Sequence, residues 1–127
     1  MPENKFDLLI VDDLAALRMM ICEALADEGY LIDQADSGVM VLDKIKLNQY
    51  RTILLDLKMP GMNGLEVLHE IRQAGCLSPV ILMTAYEMDT LPEPDYGVVL
   101  HIGKPFDLDD LRSIIRNSLA GKSNVSS

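Results

Sequence analysis

Basic side chains are scarce in this chain. Eleven Lys and Arg face twenty Asp and Glu over 127 residues, a formal charge of −9. A surface of that sign argues against direct nucleic-acid binding, which needs a basic footprint, and against docking on anionic membranes. Long apolar runs are missing as well. Nothing approaches the ~20 residues of a bilayer-spanning helix. The opening residues 1–7 are polar and carry no secretory apolar region. Cysteine is limited to Cys22 and Cys76, far apart and in no metal-binding spacing. Both are expected as small buried or half-buried hydrophobes, in a soluble protein of a reducing, cytoplasmic setting.

What is present is an apolar half, 49% of the residues, in a length suited to one domain. Five short apolar runs have the length of strands. They are Leu8-Leu9-Ile10-Val11, Tyr30-Leu31-Ile32, Thr52-Ile53-Leu54-Leu55, Val80-Ile81-Leu82-Met83 and Val98-Val99-Leu100-His101-Ile102. Four are apolar nearly throughout, as strands covered on both faces of a parallel sheet must be, and the weaker second run suits an edge.

Helical patterns alternate with them. Leu14, Leu17, Ile21 and Leu25 form a stripe at helical spacing, stopped by Gly29. Ser37 is a candidate N-cap for a helix with Val39, Leu42, Ile45 and Lys46. Asn63-Gly64-Leu65-Glu66 reads as a capping box, with Leu65, Leu68 and Ile71 inward and an end near Gly75. Asp107 can cap a last helix that turns Leu108, Leu111, Ile115 and Leu119 inward and stops at Gly121. The interval 87–97 differs: Pro92 and Pro94 interrupt it, so the fourth helix is expected to be shortened or missing. The alternation predicts a flavodoxin-like, doubly wound α/β fold. Its five parallel strands would run in the order 2-1-3-4-5. It would form a single domain over 1–127, with a core of about 5–120 and a frayed tail at 121–127.

In such sheets ligands bind beyond the carboxyl ends of the strands, at the switch point between strands 1 and 3. Asp12 and Asp13 follow the first run, Asp56 the third, and the fourth ends in Thr84. Lys104 follows the fifth. Three carboxylates ~5 Å apart repel by about 3 kcal/mol per pair at an effective dielectric of ~20. A hard divalent cation relieves that repulsion, and Mg²⁺ suits carboxylates, a backbone carbonyl and a phosphate oxygen. An Asp beside such an ion can accept a phosphoryl group as an acyl phosphate. A hydroxyl and an amine would neutralise and position that group.

Four segments resemble the receiver domain of two-component response regulators. They are Val11-Asp12-Asp13, the ten residues from Leu55 through Asp56, Lys58, Met59, Pro60 and Gly61 to Gly64, then Thr84-Ala85, and Lys104-Pro105-Phe106. The resemblance implies a signalling domain, not a conventional enzyme, whose only self-catalysed step is transfer to Asp56. Asp56 would take the phosphoryl group from a histidine kinase or a histidine phosphotransfer protein, then signal by conformational change or pass the group on in a phosphorelay. Asp12, Asp13, Asp56 and the Lys58 carbonyl would hold Mg²⁺, with Mn²⁺ as a substitute. Thr84 and Lys104 would bind the phosphoryl oxygens, and a cis bond would precede Pro105.

Some positions are less usual. Receivers commonly carry an aromatic ring three residues before the lysine, as a switch that follows the threonine; here it is His101. His101, Lys58 and Tyr86 resemble single-domain regulators of the sporulation-phosphorelay kind. The resemblance implies that Lys58 and Tyr86 would flank the path of attacking water and lengthen the phosphate lifetime. A damaged fourth helix weakens the usual output face, and Ala15, Ala16, Met19 and Met20 on helix 1 then become the expected docking surface for the phosphodonor, beside the active-site loops. The domain is expected as a monomer or weak dimer. The rival reading is a pseudo-receiver, a phosphorylation-independent interaction module. An Asp-nucleophile phosphatase would want an acid two residues after Asp56, where Lys58 stands, and a flavin site would not tolerate Asp12-Asp13 without a metal.

Overall fold

The computed structural model describes residues 4–57, 64–84, 98–103 and 106–120, and for Thr84 and residues 98–101 the backbone alone. Strand β1 (Asn4–Val11) leads to helix α1 (Ala15–Ala26), β2 (Ile32–Ala35), α2 (Gly38–Leu47) and β3 (Asn48–Asp56). Then come α3 (Gly64–Gln73), β4 (Val80–Thr84), β5 (Val98–Gly103) and α4 (Leu108–Leu119). The sheet runs β2-β1-β3-β4-β5, and every pairing is parallel. This is the doubly wound order the alternation predicts.

The uninterrupted apolar runs are explained by the two faces of the sheet. Side chains of a strand alternate in direction. Leu9, Val11, Ile53 and Leu55 pack with Val41 of α2 and with Val67, Leu68 and Ile71 of α3. Leu8, Ile10 and Leu54 point the other way, onto Ile21 and Leu25 of α1 and Leu111 and Ile115 of α4. Burying each such side chain contributes about 1.5–3 kcal/mol before entropy is counted.

The helix ends follow the punctuation in the sequence. Ser37 Oγ accepts from Met40 N at 3.2 Å, and Asp107 Oδ1 accepts from Asp109 N at 2.8 Å. Gly29 and Gly75 take left-handed φ of 91° and 88° just past α1 and α3. The candidate caps Asn63 and Gly121, the fourth-helix interval 87–97 and the tail 121–127 lie outside the described residues.

Other expectations need correction. β1 and β3 start four residues before their apolar runs, because Asn4, Lys5 and Phe6 pair with Asn48, Gln49 and Tyr50 through backbone groups that are indifferent to side-chain polarity. β2 begins at Ile32, later than expected, and Leu31 stays exposed while its carbonyl accepts from Asp7 N and Leu8 N. Leu14 is the N-cap residue of α1 and 58% exposed, so the buried stripe starts deeper in the helix. In α2 Val39 is exposed, and Val41 is buried in its place. No helix among the described residues is long and apolar enough to cross a membrane.

Candidate functional site

All five strands being parallel, their carboxyl ends share one edge. The chain leaves β1 toward β2 and leaves β3 toward β4, which opens a crevice between the two ends. Asp12 and Asp13 follow β1, and Asp56 is the last residue of β3. One carboxylate oxygen from each lies within 4.8 Å of the others. Asp12 and Asp56 are buried and Asp13 is exposed, so the cluster sits in the floor and lip of the crevice.

The turn carrying Asp12 is tied down. Asp12 N donates to Ala35 O of β2 at 3.2 Å, extending the ladder past the strand. Asp12 Oδ1 accepts from Leu14 N at 2.9 Å, which fixes one carboxylate oxygen and turns the chain into α1. The Asp12 carbonyl accepts from Arg18 Nη1 at 2.7 Å, and Arg18 Nε donates to Gln34 Oε1 at 3.0 Å. Arg18 is marked in the sequence only as a cation one turn into the helix that follows the acid pair.

Asp56 is held by close packing. It pairs in register with Met83, and Leu57 N continues the ladder to Met83 O at 2.9 Å. Helix α3 then starts flush against this turn, with Gly64 N donating to Leu57 O. A Cβ at Gly64 would come within 2.6 Å of both the Asp56 carbonyl oxygen and the Leu57 Cα. Gly64 is there for that contact, a role the capping-box reading missed.

Thr84 ends β4, paired with Gly103 at the end of β5, on the same edge as the carboxylates. His101 lies inside β5, in register with Leu82. Lys58, Tyr86, Lys104 and Pro105 lie outside the described residues. Both cysteines are half-buried free thiols, and burial pushes the Cys22 thiol up, with Arg18 only partly offsetting it. A groove of about 570 Å³ lies at the opposite edge, lined by Phe6, Tyr50 and Leu77 among others, and contains none of the three carboxylates.

The donor set fits a hard divalent cation. Three carboxylates supply oxygen ligands only, two of them from buried positions, and their mutual repulsion falls when a cation enters. The family model of the response regulator receiver domain matches residues 8–116. The chain belongs to this family. Receiver domains are the signalling modules of two-component systems and phosphorelays. The chain is 39% identical over 119 residues to the sporulation initiation phosphotransferase F of Bacillus subtilis, covering 92% of this chain and 96% of the relative. It is 38% identical over 112 residues to the response regulator ArlR of Staphylococcus epidermidis, covering 87% of this chain and 51% of that protein. It thus spans nearly all of one relative and about half of the other. Among solved structures, the receiver domain of NtrX from Brucella abortus superposes with a TM-score of 0.81 at 27% identity, over 90% of this chain and 98% of that one. The response regulator TrrA of Thermotoga maritima, in complex with Mg²⁺ and BeF, gives 0.78 at 33% identity, over 91% and 99%.

Proposed function

We propose that this receiver domain accepts a phosphoryl group on a carboxylate oxygen of Asp56 from a phosphohistidine of a histidine kinase or phosphotransfer protein. The observation that carries this reading is the meeting of Asp12, Asp13 and Asp56 carboxylates at the switch point of the sheet. In the transfer the P–N bond of the phosphohistidine breaks and a P–O bond to Asp56 forms. The imidazole leaves with the electron pair and takes up a proton. Asp12, Asp13, Asp56 and the Lys58 carbonyl would hold Mg²⁺, which would neutralise charge on the phosphoryl oxygens. The Mg²⁺ complex of the similar TrrA supports that choice of ion.

The chain's own residues do the rest. Asp12 is oriented by Leu14 N, so its carboxylate would hold the ion with little reorganisation. Thr84 and Lys104 bind the phosphoryl oxygens, and His101 answers the movement of Thr84. Lys58 and Tyr86 restrict the approach of water and lengthen the lifetime of the acyl phosphate. The near-complete match to a phosphotransferase of sporulation favours a relay role, in which the group is passed on. Ala15, Ala16, Met19 and Met20 are exposed on the first turns of α1 beside the carboxylates and form the docking surface for the donor. The domain acts in the cytoplasm as a monomer or weak dimer, without direct contact to nucleic acid or membrane.

The test is the intact mass of wild type and Asp56→Ala after incubation with acetyl phosphate and Mg²⁺, then with a phosphorylated phosphotransfer protein. One added phosphoryl group in the wild type alone, lost when EDTA is present, is the expected result. Folded wild type that gains nothing from either donor refutes the reading and leaves the phosphorylation-independent module. Lys58→Ala then checks the lifetime: it should speed loss of the group.

A further inference from the structure

Arg18 occupies an unusual place for a cation beside an acidic cluster. Its guanidinium bonds two neutral oxygens: the backbone carbonyl of Asp12 at 2.7 Å and the side-chain amide of Gln34 at 3.0 Å. Arg18 is half-buried on α1, Gln34 lies on β2, and Asp12 follows β1, the strand that pairs with β2. The guanidinium therefore ties three elements together at the turn that carries both Asp12 and Asp13. Helix α1 itself supplies little such fixation. Its N-cap is Leu14, which makes no side-chain capping bond, and no acidic residue stands in its first turn.

We propose that Arg18 is a positioning residue for the divalent cation. Anchored by Gln34, it holds the β1–α1 turn so that Asp12 and Asp13 face Asp56, and it thereby raises cation affinity. This rests on the reading of the three carboxylates as the cation site. Outer groups that orient metal ligands commonly set affinity by about 10–100-fold. Three further considerations support the assignment. The planar fork of Arg suits a two-point bridge, and a carbonyl in the middle of a tight turn is a lever on the whole turn. Burial of Asp12 means that a shift of its backbone moves its carboxylate with it.

The alternatives predict opposite signs. If Arg18 acted only as a nearby positive charge, removing it would strengthen cation binding, because repulsion of Mg²⁺ would fall. If it positions the turn, removing it weakens binding despite that gain. The chain has no tryptophan, so Mg²⁺ affinity is best read by calorimetry on the unphosphorylated full chain, with no phosphodonor present. The expected result is about tenfold weaker binding in Arg18→Ala, partial recovery in Arg18→Lys, which keeps the charge but only one contact, and a smaller loss in Gln34→Ala. Thermal melting in EDTA runs alongside. Gln34→Ala keeps the charge of Arg18 and removes only its anchor, so it carries the test if Arg18→Ala does not fold. Unchanged or tighter Mg²⁺ binding in Arg18→Ala, or in Gln34→Ala where that variant carries the test, overturns the role of Arg18. Absence of Mg²⁺ binding in the wild type overturns the cation site itself, a distinct outcome.

Discussion

The two edges of the sheet handle charge in opposite ways. Toward the amino ends of the strands, Asp33 is met by Lys44 Nζ at 2.8 Å and by the Tyr50 hydroxyl, which donates to its other oxygen at 2.7 Å. Asn48 Nδ2 donates to the Tyr50 oxygen, and the Tyr50 ring stacks on Phe6 with centroids 5.5 Å apart. Asp7 pairs with Arg51, whose guanidinium also reaches the Leu119 carbonyl at 2.6 Å. At the carboxyl edge, three carboxylates are gathered onto one another instead. One edge is built to be stable alone. The other brings three like charges within 4.8 Å of one another, which is a cost the fold carries for a site.

The largest effect should come from steric closure of the acidic edge. Gly64→Ala puts a Cβ where the Asp56 carbonyl and Leu57 Cα already stand, and overpacking of that kind costs about 2–3 kcal/mol. Urea unfolding reads it. A variant as stable as wild type would mean that α3 can slide from the Asp56 turn without penalty.

Next comes the charge itself. Asp56→Asn should stabilise the cation-free fold by about 1–2 kcal/mol, because it removes like-charge repulsion. Mg²⁺ should reverse the order. At one hundred times its dissociation constant it adds about 2.7 kcal/mol to wild type, and much less to the variant. Denaturant midpoints in EDTA and in Mg²⁺ measure both. Loss of stability in Asp56→Asn without cation would erase the contrast between the edges.

The amino edge should respond in the reverse sense. Tyr50→Phe removes the hydroxyl that donates to Asp33, at a cost of about 1 kcal/mol. Burial, and then the bond to the Asp33 carboxylate, hold the Tyr50 phenol far above its usual range, so it stays a donor at any working pH. Mg²⁺ affinity should not change. A change would mean that the two edges are coupled.

The carboxyl edge was the more legible of the two in the sequence. Acids placed directly after apolar runs need only strand direction to be brought together, so Asp12, Asp13 and Asp56 could be placed without coordinates. Gly64 and Arg18 could not, since each acts through a backbone atom of the neighbouring turn, and a backbone atom leaves no mark on residue type. The same limit hid the early starts of β1 and β3, where polar residues join the ladder through their amides. Leu14 and Val39 were misplaced for another reason. A stripe written from residue types alone cannot tell an N-cap or a solvent-facing position from the first inward turn. Nor did the sequence betray the Asp33–Lys44–Tyr50 network, whose members are separated along the chain and meet only when α2 packs against both β2 and β3, the two neighbours of β1.

That network gives the smallest and most specific prediction. Burial raises the Asp33 carboxyl, but the bonds from Lys44, the Tyr50 hydroxyl and Gln34 N outweigh it and hold the group below the ordinary carboxylate range. A depressed folded pKa means that the stabilisation is present above the unfolded value, about 3.9 for Asp, and is lost as pH falls through the folded value. Asp33→Asn lacks that component. Wild type should therefore be the more stable at pH 6, and its advantage should shrink steadily as pH is lowered below about 4. Melting temperatures of the two proteins across that range give the difference directly, with the other carboxylates common to both. A gap that stays constant with pH would show that Asp33 works by shape and neutral hydrogen bonding, and that its charge is not what the amino edge balances.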